Sequence, residues 1–356
     1  MLKRSLHCVL AAFLLTGCVQ KEIIDDVSLV TGIGYDAAKN GKIEGTALMP
    51  FYLPDQKVEN NTITAVGSPT RDLFRLYQQS SSDPVVGGSL EVALFGKDFA
   101  AKHGVYQVLD SLQRDPGVGS NAFFAIADGK AKDLLNGKFG KKGNASYISD
   151  LIKHNSKNRD LPRTNMHLFL SDYFKTGKSA YLPILKLKGK NHVKIAGIGV
   201  FKDDKLVYSI PEKDLFYFKL LVEKYSEGTI KVVTGKQEAV VESLSSEYKR
   251  KLVKRNPYEL TVDIEVKGLI HQYTGRNMDK KIVNDIKRAL KGQIESECTD
   301  LIKQFQKEKI DPIGLTHFVK TKTRGFDYEG WKKNDYNNMK VTVNAKVNIY
   351  ETGVIQ

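Results

Sequence analysis

KKIVNDIKRALKGQIESECTDLIKQFQKEK, residues 280–309, and the two segments that flank it, LTVDIEV at 260–266 and VTVNAKVNI at 341–349, decide the fold of this chain. In the first, Ile282, Ile286, Leu290, Ile294, Cys298, Leu301 and Phe305 recur every three or four residues, the period of a helix with one apolar stripe. Asp311-Pro312 stops it, because proline cannot continue the backbone ladder. In the flanking segments Leu260, Val262, Ile264 and Val266 alternate with polar residues, as do Val341, Val343, Ala345, Val347 and Ile349, so each is a strand with one buried face. The pattern predicts an antiparallel C-terminal sheet crossed by one long helix. Cys298 lies on the apolar stripe and reads as a small core hydrophobe, not as a nucleophile.

Upstream the pattern becomes mixed. SLVTGIGYD (28–36) and Lys42–Pro50 form a hairpin turned at Asn40-Gly41, and the polar stretch 55–67 reads as mobile. Ser68-Pro69 supplies an N-cap and first-turn proline for a helix over 71–79. Strands at 90–95 and 122–127 then alternate with helices over 97–114, 129–135 and 145–154, in the manner of an α/β unit. The 97–114 helix carries Phe99, Val105, Leu109 and Leu112 on one face and breaks at Asp115-Pro116-Gly117. A helix over 166–174 precedes strands at 181–187, 193–201 and 205–210, the last two turned at Asp203-Asp204. Another helix follows from 211 to 225, and Gly228 opens a β-rich stretch. The class is α+β: a multi-domain mixed α/β body with the C-terminal antiparallel sheet packed by its long helix. The expected divisions are a signal at 1–17, an N-terminal α/β domain at 18–190, a middle β-rich domain at 191–250 and a C-terminal domain at 251–356.

The N-terminus sets the compartment. Lys3 and Arg4 precede an apolar run from Leu6 to Leu15, the layout of a secretory signal and too short to span a bilayer. Leu15-Thr16-Gly17-Cys18 is similar to the lipobox of bacterial lipoproteins, so cleavage is expected between Gly17 and Cys18, with diacylglycerol on the Cys18 thiol. Two acyl chains hold firmly, since each buried methylene contributes about 0.8 kcal/mol. Removal of the signal leaves 53 basic and 41 acidic residues, a net charge of +12. Export and the absence of an Arg-rich, aromatic-bearing module argue against nucleic acid; attraction to anionic lipid headgroups suits the charge as well as simple solvation does.

Chemistry is hard to find. After cleavage the histidines are His103, His154, His167, His192, His271 and His317, no two at the i, i+4 spacing of a helical metal pair. Gly32 and Gly34 lack the third glycine of a nucleotide fingerprint. Ser120 follows Gly119 in a turn but not in a nucleophile elbow. A distant pair such as His103 and Asp133 carries no local signature. Cys298 is left without an intramolecular partner once Cys8 departs and Cys18 is acylated, which excludes a disulfide framework. No catalysis, cofactor or metal is expected.

These segments, taken in order, resemble the C-subunit lipoproteins of bacterial spore germinant receptors, the Ger(x)C family, over essentially the whole chain. The resemblance rests on Cys18 followed by Glu22-Ile23, on Gly32-Ile33-Gly34-Tyr35-Asp36, and on Arg114-Asp115-Pro116 followed by Gly129-Lys130-Ala131-Lys132-Asp133-Leu134-Leu135. It continues through Asp311-Pro312-Ile313-Gly314, Trp331 and the strand closing at Gly353. The chain departs from the family pattern at Val19-Gln20, where a Trp-Asp pair is common, and at Tyr208-Ser209-Ile210, where Gly-x-Leu is usual. The resemblance implies a three-domain lipoprotein on the outer face of the spore inner membrane, working with polytopic A-type and B-type membrane subunits to trigger germination. The competing expectation is a solute-binding lipoprotein feeding a transporter, which shares anchor, compartment and size but is usually built from two α/β lobes around a cleft. A surface hydrolase ranks third.

Overall fold

In a computed structural model the chain is described over residues 27–53, 57–68, 71–115, 118–189, 191–224, 227–276 and 278–350. Gly17, Cys18, the Pro69 helix start, Pro116 and Gly353 lie outside the described residues. Two sheets organise the molecule.

The larger has eight strands: β2 (Gly32–Ala37), β3 (Ile43–Tyr52), β4 (Val58–Gly67), β6 (Val92–Gly96), β7 (Phe123–Ala127), β8 (Tyr181–Lys188), β9 (His192–Lys202) and β10 (Lys205–Pro211). Their order is β10-β9-β8-β7-β6-β2-β3-β4, and a short separate pair joins β1 (Ser28–Leu29) to β5 (Val85–Val86). The centre, β2-β6-β7-β8, is parallel, and antiparallel hairpins flank it on both sides. Parallel strands are covered on both faces and so read as unbroken apolar runs. β6 (VALFG) and β7 (FFAIA) do this: Ala93, Phe95, Phe124 and Ile126 enter one core, while Val92, Leu94, Ala125 and Ala127 enter the other.

Helices α1 (Arg71–Gln79), α2 (Lys97–Lys102), α3 (Tyr106–Arg114) and α6 (Met166–Phe174) serve the first core through Leu73, Phe99, Leu109 and Phe169. α4 (Ala131–Leu135) and α5 (Asn144–Asn158) cover the opposite face through Leu135, Ile148 and Ile152. That second core continues through α7 (Leu215–Val222) into the C-terminal sheet, so the two sheets share one apolar interior.

The C-terminal sheet has the order β11 (Gly228–Thr234), β12 (Gln237–Arg255), β13 (Tyr258–Tyr273), β14 (Lys340–Tyr350). It is antiparallel from β11 through β13, as expected. β14 adds parallel to β13, with Leu260 opposite Val341 and Ile264 opposite Ala345. Alternation fixes which face a strand buries but not its direction. The long helix α8 (Lys280–Glu308) lies as expected, with Ile286, Leu290, Ile294, Cys298 and Phe305 fully buried, and Asp279 caps it by accepting from Ile282 N at 2.8 Å.

Two local expectations change. The stretch read as mobile forms β4, an edge strand paired along its length with β3; it needs few apolar residues because only Ile63 and Ala65 pack against the core. The helix over 97–114 is two helices, broken at Gly104, whose φ of +84° lies in the left-handed region that favours glycine. The four stripe residues Phe99, Val105, Leu109 and Leu112 are all buried nonetheless. The divisions expected at 190/191 and 250/251 fall between β8 and β9 of the large sheet and inside β12, respectively.

Candidate functional site: the motif clasps and the junction of the two sheets

The two N-terminal motifs meet. Asp36, at the end of β2, accepts hydrogen bonds from Ala131 N at 2.8 Å and Lys132 N at 2.9 Å, filling the donors of the first turn of α4. Glu44 of β3 holds Lys132 at 3.0 Å and Lys130 at 3.8 Å. Gly34 lets the helix approach, since a Cβ there would stand 2.9 Å from Leu135 Cδ1 and 3.1 Å from Ala131 Cβ. Tyr35, on the other face, stacks with Phe95 and Phe99. Burial holds the Asp36 carboxyl above its usual range, and the two backbone donors oppose that rise. The glycines and the aspartate of this motif therefore form a clasp across the central sheet.

The C-terminal motif forms a second clasp. Asp311 accepts from Gly314 N (2.7 Å), Leu315 N (3.0 Å) and Thr316 N (2.6 Å), which starts α9 (Leu315–Lys322). Its backbone exchanges two bonds with Ser179: Asp311 N donates to Ser179 Oγ at 3.0 Å, and Ser179 N donates to Asp311 O at 2.9 Å. Ser179 precedes β8, so this exchange ties the large sheet to the C-terminal one. Trp331, buried against Tyr258, donates from Nε1 to Thr316 Oγ1 at 3.0 Å, and Tyr336 donates to Ile310 O at 2.6 Å. A cavity of about 120 Å³ opens beside this clasp, lined by Lys178, Lys202, Lys309, Thr316 and Trp331 among others. Burial again raises the Asp311 carboxyl, against its backbone donors.

A third polar group at the junction escapes the sequence reading. Lys219 stands in the otherwise apolar α7 (LFYFKLLV) and is 1% exposed. Its ammonium donates to Ser156 O at 3.0 Å and Arg159 O at 2.6 Å and lies 4.0 Å from Glu223. Glu223 in turn accepts from Arg163 N. Asp160 completes the group with one buried oxygen, Oδ1, that has no hydrogen-bond partner. Desolvation pushes Asp160 up to about 6 and Lys219 downward, so burial outweighs mutual attraction at both. A single lysine interrupting seven apolar positions was the available signal.

The remaining candidates stay apart. His103 stacks on Phe99 at one face of the large sheet, while Asp133 belongs to α4 at the other. His154 contacts Asn158 and His271 faces Glu242. Among the described residues no group of three or more His, Cys, Asp or Glu side chains converges as a metal set would. Arg114 is exposed and pairs with Asp110 at 3.0 Å, one turn back on its own helix. Cys298 is fully buried, its Sγ 3.7 Å from Tyr217 O, and burial raises its thiol well above the usual range, which suppresses the reactive thiolate. The clasps position backbone; every carboxylate oxygen in them already holds an amide. No helix among the described residues is long and apolar enough to cross a membrane.

Residues 20–187 match the family model described as spore germination protein N-terminal domain, and residues 196–353 the model described as spore germination B3/GerAC like, C-terminal. Spore germination protein GerQC of Bacillus cereus is 32% identical, covering 99% of both chains. The putative spore germination protein YfkR of Bacillus subtilis (strain 168) is 24% identical over 98% of this chain and 96% of its own. Spore germination protein KC of the same organism is 22% identical over 86% and 84%. In fold, the chain is similar to the crystal structure of the GerBC protein, at a TM-score of 0.58 and 16% identity, covering 89% of this chain and 96% of that one.

Proposed function

The chain belongs to the GerAC-like family of spore germination proteins, and from that membership we propose that it is the lipid-anchored C subunit of a nutrient germinant receptor. In this reading Cys18 carries the lipid, the body stands on the outer face of the spore inner membrane, and contacts with polytopic A-type and B-type subunits carry the signal that triggers germination. The end-to-end likeness to GerQC is the observation that carries the proposal, because it spans the anchor segment and both sheets together. The structure supports a contact role: Asp36 is consumed in holding α4 on the large sheet and Asp311 in joining the two sheets, and the reading requires no catalysis. The solute-binding alternative expects two like α/β lobes, whereas here an eight-stranded sheet adjoins a four-stranded one of different topology.

The test is nutrient-triggered loss of refractility in purified spores, native against a clean deletion of this chain. A lost response to one nutrient set, with sporulation and non-nutrient germination intact, is expected. An unchanged response across a broad nutrient panel would overturn the receptor role. Cys18→Ala tests the anchor separately: an uncleaved or soluble product is expected, and normal membrane retention would refute it.

A further inference from the structure

The chain enters the large sheet at one particular end. Gly32, the first residue of β2, pairs with Leu48, and Thr31 N donates to Leu48 O at 3.0 Å. β3 runs on past that point to Tyr52, four residues or about 13 Å further toward the same end. There Phe51 is 44% exposed and Tyr52 76%, the latter the most exposed large hydrophobic side chain among the described residues. The loop between α4 and α5 packs beside this tip: Asn144 N donates to Asn60 Oδ1 at 2.9 Å, Thr62 Oγ1 donates to Asn136 Oδ1 at 2.7 Å, and Gly143 abuts Val58 and Pro50. That loop carries exposed Lys138, Lys141 and Lys142, and Lys57 is exposed on the tip itself. Among the described residues the facing carboxylates are Glu59, exposed on β4, and Asp150, which holds Lys142 at 3.4 Å. The opposite end of the hairpin, the turn Lys39–Gly41, is polar.

We infer that the β3–β4 tip with its neighbouring lysine loop is a bilayer-contact surface, seated in the headgroup layer of an anionic phospholipid membrane. The inference rests on lipid attachment at Cys18. Eight residues lie between Cys18 and Val27, a reach of at most about 30 Å, and the chain enters β2 at the end where this tip stands, so the tip is on the side of the sheet that the anchor joins. Tyrosine and phenylalanine suit that layer, where a ring meets acyl chains on one side and water on the other. Each lysine near an anionic surface favours binding by about fivefold. The surface would fix the tilt of the body, so that one anchor chain orients the whole molecule.

The full acylated chain is reconstituted in vesicles of equal parts phosphatidylglycerol and phosphatidylcholine, with a nitroxide at Glu59→Cys or, as control, at Lys39→Cys. Cys298 is buried and Cys18 acylated, so the label reports the introduced site. Collision with oxygen is expected to exceed collision with a water-soluble nickel complex at the Glu59 position, and the reverse at the Lys39 position. Phe51→Ser with Tyr52→Ser, and separately Lys138→Gln, Lys141→Gln and Lys142→Gln together, are expected to return the Glu59 label to water. A chain that floats with the vesicles while both labels remain aqueous overturns the contact surface and leaves the anchor standing. A chain that does not float overturns the anchor, and this inference with it. An unmoved label in either multiple variant overturns the role given to those side chains.

Discussion

Replacing Asp160 by asparagine isolates the free energy of ionising a carboxyl inside the Lys219 cluster. Asp160 titrates at about 6 in the folded chain against 3.8 for a solvated aspartate; burial raises it, and Lys219 and Arg159 pull it back only in part. A group with a raised folded pKa contributes stability below its unfolded value and loses that contribution as pH climbs through the folded value. The native chain should therefore lose ground to Asp160→Asn between about pH 4 and pH 6. At about 1.36 kcal/mol per pH unit the interval amounts to about 3 kcal/mol, after which the difference is flat. Urea unfolding of both proteins across this range, followed by the fluorescence of the single Trp331, measures it. The other raised carboxyls, Asp36, Asp214 and Asp311, are present in both proteins and cancel in the difference. Two stability curves that stay parallel with pH, or an asparagine variant that weakens as pH rises, would refute the reasoning.

Lys219→Met removes the cation and leaves the Ser156 and Arg159 carbonyls and Glu223 without it; a loss of about 3–5 kcal/mol is expected by urea unfolding. Gly34→Ala drives a methyl group into Leu135 and Ala131 and should lower stability by about 1–3 kcal/mol, read as a shifted thermal midpoint. Cys298 should resist a water-soluble thiol reagent until the C-terminal sheet opens, so its labelling rate in a denaturant series should track unfolding; rapid labelling of the folded chain would contradict its core position.

The parts legible in the sequence are those where burial leaves a period. The stripe from Ile282 to Phe305 and the alternation from Leu260 to Val266 face a single core, so the residue spacing records the geometry. β6 and β7 were legible as unbroken apolar runs bounded by turns. β4 was not, because an edge strand with Asn60, Asn61, Thr62 and Thr64 looks like a loop until its partner is known. The parallel docking of β14 was hidden for a different reason: direction depends on the path between strands, not on their residues. At the clasps, Asp36 and Asp311 stood inside recognisable motifs, but that each closes on the first turn of a helix follows only from the fold. Asp160 gave no signal, since its surroundings come from a helix some sixty residues away.

The parallel placement of β14 has a consequence for how this protein is made. β11, β12 and β13 are successive hairpin partners and can pair as soon as they emerge together, but their apolar face is bare until α8 arrives and the outer edge of β13 is open until β14 does. About 70 residues lie between the end of β13 and the start of β14, so this edge stays open until nearly the whole chain has emerged. During that interval the chain presents the open edge of a sixteen-residue strand beside an apolar surface, the arrangement through which sheets recruit foreign strands. The most vulnerable moment in the life of this molecule falls just before its last strand is added.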